Sequence, residues 1–121
     1  MMTKAAAASE RNMPFLDSDY LATATFDDEA LARELLGLFV GQCDALAPVI
    51  AQEGGALQAR IDAAHTLKGG ARAIGACAVA DAAERVEAGL RSEGVLPGAE
   101  WTWLEIAMQE TRAVIARRGA L

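Results

Sequence analysis

The spacing of the apolar residues is the feature that most constrains the fold, because they recur three and four positions apart through most of the chain. The clearest stripe consists of Leu57, Ile61, Ala64, Leu67, Ala71 and Ile74. Such spacing places apolar side chains on one face of a helix, whereas a half-buried strand alternates apolar and polar residues. No such alternation occurs in this sequence. The pattern therefore predicts an all-α fold.

Breaks in this pattern divide the chain into a leader and five helices. Residues 1–14 lack apolar periodicity and are predicted to form a flexible leader ending at Pro14. A short helix is expected to start at Asp17 or Ser18. Four longer helices are expected at about 28–51, 56–74, 77–92 and 99–118. Together they predict an up-and-down antiparallel four-helix bundle over residues 15–121, with the short helix covering one end.

The first long helix carries three specific predictions. Thr25 is expected to cap its start, with Asp28 three positions further on. Pro48 lies inside the periodic segment and predicts a kink or a restart, since proline lacks the helical N–H. The core stripe of this helix is expected to comprise Leu31, Leu35, Leu38, Cys43, Leu46 and Ile50.

Charge and cysteine content narrow the classes of partner and compartment. The net charge of −6 argues against a nucleic-acid binder, which needs a basic surface, and against an anionic membrane face. The apolar runs are far shorter than the roughly 20 residues of a membrane span, and no signal peptide is apparent. Cys43 and Cys77 lie in apolar helical patterns, so buried free thiols are expected. A cytoplasmic monomer is the prediction.

The only histidine, His65, lies on the helical stripe next to the apolar one, together with Lys68, Gly69 and Arg72. Glycine inside a helix costs about 1 kcal/mol relative to alanine, so Gly69 and Gly70 together suggest access for a partner. An exposed imidazole is partly neutral at pH 7 and can attack phosphorus. Lys68 one turn on can neutralise phosphoryl oxygens. This stripe is therefore the candidate site.

The helix that follows adds a second stripe, with Glu84, Glu87 and Arg91 three and four positions apart. If the two helices pair as an antiparallel hairpin, Glu87 can accept a hydrogen bond from the Nδ1–H of His65. That bond would leave Nε2 free for reaction. Arg91 can contribute a second positive charge near the same place.

The run HTLKGGARAIGA, from His65 to Ala76, resembles the signature of histidine-containing phosphotransfer (HPt) domains. The matching positions are His65, Leu67, Lys68, Gly69, Gly75 and Ala76. The resemblance implies a four-helix bundle in which His65 receives a phosphoryl group from a kinase or a receiver-domain aspartate. It then passes the group to another receiver aspartate. It also implies that Lys68 faces the phosphoryl group and that Gly69 leaves room for the receiver.

Further positions follow from the same resemblance. Glu87 lies where many members carry a Glu or Gln that bonds the imidazole, and Arg91 matches a basic position of some members. Arg72 departs from the smaller or neutral residue that is common there. The partner surface is expected on the helix pair 56–74 and 77–92. Its centre is predicted at Gly69 and Gly70, with apolar contacts from Ala73 and Ala76, and Arg72 and Arg91 steering acidic partners.

The predicted function is a phosphoryl carrier in a multistep phosphorelay, not an enzyme with its own ATP-binding kinase domain. Its partners would be response-regulator receiver domains and a (hybrid) histidine kinase, with no nucleic acid and no membrane. No cofactor is expected, and one histidine with two scattered cysteines predicts no metal site.

Two other functions stay open. The N-terminal phosphotransfer domain of a chemotaxis-type kinase also carries H-x-x-K-G-G-A, although a chain ending at 118–121 without a linker favours a stand-alone protein. A helical module that binds receivers without carrying phosphate is the second alternative. Such a module would need neither His65 nor Lys68.

Overall fold

The computed structural model describes residues 15–119, which form helices and connecting turns without strands. The five helices are α1 Ser18–Ala24, α2 Glu29–Ala51, α3 Leu57–Ile74, α4 Cys77–Glu93 and α5 Gly98–Arg117. The prediction of an all-α fold is confirmed. The predicted leader, residues 1–14, lies outside the described residues, as do positions 120–121.

The four long helices form an antiparallel bundle in which each packs on the next and α5 returns to α2. Short loops join them, so successive helices run in opposite directions. The short helix α1 lies against α2 and α3 at one end of the bundle. The N–H of Asp17 donates to the carbonyl of Gly75 at 2.8 Å, which ties the start of α1 to the turn between α3 and α4.

Small residues make up much of the buried surface of α3, α4 and the turn between them. The buried alanines of these two helices and their turn are Ala63, Ala64, Ala71, Ala76, Ala78, Ala80, Ala82 and Ala83. Short side chains let two helix axes approach closely, and Leu67, Val79 and Val86 fill the remaining core volume. This close approach brings side chains on the outer edges of α3 and α4 within hydrogen-bonding distance of each other.

The start of α2 differs from the prediction. Thr25 is the C-cap of α1, and Asp28 caps α2 by accepting a hydrogen bond from the Leu31 N–H at 3.0 Å. The two residues between these caps, Phe26 and Asp27, have φ of 54° and 58°. Such left-handed backbone cannot continue a right-handed helix, so α2 begins only after it.

The helix does not restart at Pro48, because α2 continues through it to Ala51. Pro48 lies in the last turns of the helix, where its missing N–H removes a single backbone bond near the end. By length and composition α2 alone among the described helices is apolar enough to cross a membrane. The core helices of globular proteins meet the same criterion, and α2 contributes Leu36, Phe39 and Ile50 to this core.

The predicted core stripe of α2 is correct in part, since Cys43 and Ile50 are buried and Leu35 and Leu46 pack half-buried against the core. The buried residues are Ala32, Leu36, Phe39, Val40, Cys43 and Ile50, whereas Leu38 is 64 % exposed. The flanks of α2 explain the difference, since Gln42 lies against α3 and Asp44 pairs with Arg112 of α5. The face between these flanks points inward, and Leu38 lies outside it, one turn from Gln42 on the same flank.

Two smaller expectations also need correction. Leu57, predicted in the stripe of α3, is 40 % exposed because it begins the helix beyond the end of the core. Cys43 is buried as expected, but Cys77 is only half-buried at the start of α4. Both cysteines are free thiols.

Candidate functional site

His65 lies near the middle of α3 with its side chain 63 % exposed. Its Nδ1 is 3.0 Å from Oε2 of Glu87 on α4. A carboxylate only accepts hydrogen bonds, so Nδ1 must carry the proton in this contact. Nε2 of the neutral ring then holds the lone pair. The hydrogen bond to Glu87 therefore fixes the tautomer of the ring, and the exposed ring presents Nε2 as a nucleophile.

Lys68 lies one turn further along α3 and also reaches Glu87. Its Nζ forms an ion pair with Oε1 at 2.8 Å, and only 14 % of its side chain is exposed. The ammonium is thus held beside the imidazole by a shared carboxylate. The structure brings His65, Lys68 and Glu87 together, as the two sequence stripes predicted.

Arg91 completes the cluster from the next turn of α4. Its Nε and Nη2 donate to Oε2 of Glu87 at 3.1 and 3.0 Å, respectively. The guanidinium is therefore bound to the carboxylate that orients His65. The second positive charge predicted for Arg91 lies in this cluster, beside His65 and Lys68.

The environment of Glu87 keeps its carboxylate charged. Burial raises the pKa of this group, since its side chain is only 8 % exposed. Hydrogen bonding and charge from Lys68, Arg91 and His65 lower it further than burial raises it, and the pKa of Glu87 falls to about 2. With a neutral imidazole, two cations and one carboxylate leave the cluster with one net positive charge. The cluster therefore favours a negatively charged group at the exposed nitrogen.

The two glycines after Lys68 have different surroundings. A Cβ added to Gly69 would meet no atom within 4 Å beyond its own helix, so its face of α3 is open. A Cβ added to Gly70 would collide with the side-chain amide of Gln42 on α2. Only Gly69 provides access from outside. Gly70 was predicted at the centre of the partner surface, but it is a packing residue between α2 and α3.

The remaining predicted partner residues also divide into exposed and buried ones. Ala73 is exposed on α3. Ala76 is fully buried in the turn before α4, so its side chain cannot contact a partner as predicted. Arg72 is exposed and pairs with Glu84 of α4 at 3.1 Å, apart from the Glu87 cluster.

Sequence reasoning missed one exposed apolar residue beside this surface. Leu38 of α2 precedes Gln42 by one turn, on the flank that faces α3. In the sequence, Leu36, Phe39 and Cys43 also follow helical spacing. This second apolar stripe of α2 was the signal that could have placed Leu38 outside the core. Within residues 15–119, no three side chains of His, Cys, Asp or Glu are grouped so that they could hold a metal ion.

Comparison with known families points to the same part of the chain. A family model described as Hpt domain matches residues 34–114, which include all of α3 and α4 and most of α2 and α5. No curated protein sequence and no solved structure matches the chain.

Proposed function

Because this chain belongs to the Hpt domain family, we propose that His65 carries the phosphoryl group in a multistep phosphorelay. Hpt domains are phosphotransfer modules of two-component phosphorelays, not kinase domains, and they interact with receiver domains and histidine kinases. For this chain the donor is a (hybrid) sensor kinase or a receiver aspartate. The acceptor is the aspartate of a response-regulator receiver.

The observation that carries the proposal is the hydrogen bond between Nδ1 of His65 and Glu87, which leaves Nε2 free and exposed. In the forward step the Nε2 lone pair attacks the phosphorus of an aspartyl phosphate. The N–P bond forms as the P–O bond to the aspartate breaks, and the carboxylate leaves with the bonding electrons. Nδ1 keeps its proton, so the ring becomes cationic, and Glu87 stabilises that charge.

Lys68 supplies the charge that the transferred group requires. A phosphoryl group carries close to two negative charges at neutral pH, and its transfer depends mainly on positioning and charge neutralisation. The ammonium of Lys68 lies one turn from His65 and is held at the Glu87 carboxylate. Any Mg²⁺ belongs to the acidic pocket of the receiver, where it would neutralise the same oxygens.

The receiver is proposed to dock over the exposed face of α3, centred on Gly69. The open surroundings of Gly69 and the exposure of Ala73 support this position. Leu38 extends the apolar area towards α2, and Arg72 provides a positive charge at the edge. We propose a cytoplasmic monomer, in keeping with two free thiols, of which burial raises the pKa of Cys43 to about 11.

Phosphotransfer from a panel of phosphorylated receiver and hybrid-kinase domains tests the proposal, with wild type compared against His65→Gln. The expected result is an acid-labile, alkali-stable label on wild type alone. Because His65 is 63 % exposed, the variant should fold normally, which thermal unfolding checks. No label from any donor, with receiver binding intact, would establish the interaction module instead. Labelling only by an ATP-bound kinase domain would favour the chemotaxis-type kinase.

A further inference from the structure

Lys68 is not free to meet a phosphoryl group in the resting protein. It is the only lysine within residues 15–119, and its ammonium is paired with Oε1 of Glu87 at 2.8 Å. A phosphoryl group on Nε2 of His65 would lie on the solvent side of the ring, away from that carboxylate. Lys68 must therefore turn from Glu87 towards the phosphoryl oxygens during transfer.

This movement removes a cation from a buried carboxylate. The Glu87 side chain is 8 % exposed, and a buried charge that loses its partner is strongly destabilised. Without a second cation, Glu87 would hold Lys68 back, or its carboxylate would leave the imidazole. Either outcome would impair transfer.

Arg91 is placed to prevent both outcomes. It lies four positions after Glu87 on the same helix, so its contact does not depend on any movement of α3. Its two donors bind Oε2, whereas Lys68 pairs with Oε1. The two cations therefore occupy different oxygens of one carboxylate, and one can leave while the other stays.

We infer that Arg91 is a positioning residue that holds Glu87 against the imidazole while Lys68 moves from the carboxylate to the phosphoryl group. The inference rests on the proposed function of His65. Arg91 acts through Glu87, because its Nε and Nη2 both donate to Oε2, the oxygen that bonds the imidazole.

A double-mutant cycle distinguishes action through Glu87 from direct contact. The variants are Arg91→Gln, Glu87→Gln and their combination, with Lys68→Gln as a further background. Potassium phosphoramidate serves as donor, since it needs no docking surface. Nε2 of His65 attacks its phosphorus, the N–P bond to the ring forms, and the original P–N bond breaks with loss of ammonia.

Arg91→Gln is expected to slow labelling about tenfold in the wild-type background and less than twofold in the Glu87→Gln background. In the Lys68→Gln background Arg91 is the last cation on Glu87, so Arg91→Gln should slow labelling there at least about tenfold. Arg85→Gln is the matched control, because Arg85 forms the same kind of pair on α4, with Asp81, away from the cluster. That control should label at the wild-type rate.

Nitrogen-15 NMR of the imidazole provides a second readout, and the single histidine makes the signal unambiguous. Resting Arg91→Gln should keep the Nδ1–H tautomer, because Lys68 still pairs with Glu87. After phosphorylation the Nδ1 signal should differ from wild type. A purely structural role would disturb the resting state as well.

Two results would overturn the inference alone: a tenfold effect of Arg91→Gln that persists without Glu87, or one that disappears when only Lys68 is removed. A resting protein that loses the Nδ1–H tautomer in Arg91→Gln would also contradict it. If wild type takes no label from phosphoramidate or from any receiver, the proposed function fails and this inference fails with it.

Discussion

Alanine substitutions at the two neighbouring glycines of α3 should have unequal effects on stability. Gly69→Ala adds a methyl group where no atom lies within 4 Å, so it gains helix propensity without a clash. Alanine is about 1 kcal/mol more favourable than glycine inside a helix, and the free energy of unfolding should rise by about that amount. For a domain of this size, that rise corresponds to an increase in Tm of roughly 3–6 °C.

Gly70→Ala gains the same propensity, but its methyl group collides with the side chain of Gln42. The atoms that it meets are the far end of a flexible side chain, which can turn away, so the collision offsets only part of the propensity gain. The free energy of unfolding should therefore rise by less than for Gly69→Ala, or stay unchanged. Urea unfolding followed by circular dichroism measures both changes.

Phosphotransfer assays test whether Gly69 is the centre of the partner surface. Gly69→Ala should slow transfer from a phosphorylated receiver at least about tenfold, because the methyl group lies where the receiver must approach. Labelling by phosphoramidate should not change, since this small donor needs no docking surface. If Gly69→Ala lowers stability, or leaves receiver transfer unchanged, the assignment of Gly69 as the open centre of the partner surface is wrong.

Three further sets of substitutions test the core, the buried carboxylate and the strained turn. Leu36→Ala should lower the free energy of unfolding by about 2–5 kcal/mol because Leu36 is fully buried, whereas Leu38→Ala should change it by less than about 0.5 kcal/mol. Comparable urea midpoints for the two variants would contradict the placement of Leu36 inside the core and Leu38 outside it. The pKa of Glu87 is lowered from 4.5 to about 2 on folding, so its carboxylate stabilises the fold above about pH 4.5 and loses this effect towards pH 2. The stability advantage of wild type over Glu87→Gln should narrow over that range in urea titrations, and a constant difference would argue against the cluster. Phe26→Gly should raise the free energy of unfolding by about 0.5–1 kcal/mol, because Phe26 is 88 % exposed at a φ of 54°. Phe26→Ala removes the ring but keeps the Cβ that strains this backbone. An equal gain for both variants in thermal unfolding would assign the destabilisation to the ring and not to the backbone.

The sequence allowed α3 and α4 to be predicted well, because each carries one dominant apolar stripe. All the inward residues of α3 except Leu57 are buried. In α2 apolar residues lie on more than one face, and the choice between them depends on where α3 and α5 contact the helix. The pairing of Asp44 with Arg112 fixes one of those contacts, and no local pattern within α2 contains that information.

The residues of the candidate site likewise divide into those that spacing along one helix could place and those that depend on the packing of two helices. His65, Lys68 and Gly69 are neighbours on one helix, so spacing alone placed them together. Their contact with Glu87 depends on how α3 and α4 lie relative to each other. The assumption that the two helices pair as an antiparallel hairpin supplied that arrangement. Gly70 and Ala76 could not be assigned correctly from sequence, because a small residue beside a partner and a small residue beside another helix look alike in sequence.

The alanine-rich contact between α3 and α4 makes the site depend on residues that never meet a substrate. The separation of His65 and Glu87 is set by the bulk of side chains such as Ala64 and Ala83, both of which are fully buried. One added methylene in a packed interior forces neighbouring backbone to shift. A substitution there can therefore uncouple the nucleophile from its carboxylate while every functional residue remains intact. The number of positions at which mutation can silence the protein is accordingly larger than the reactive cluster itself.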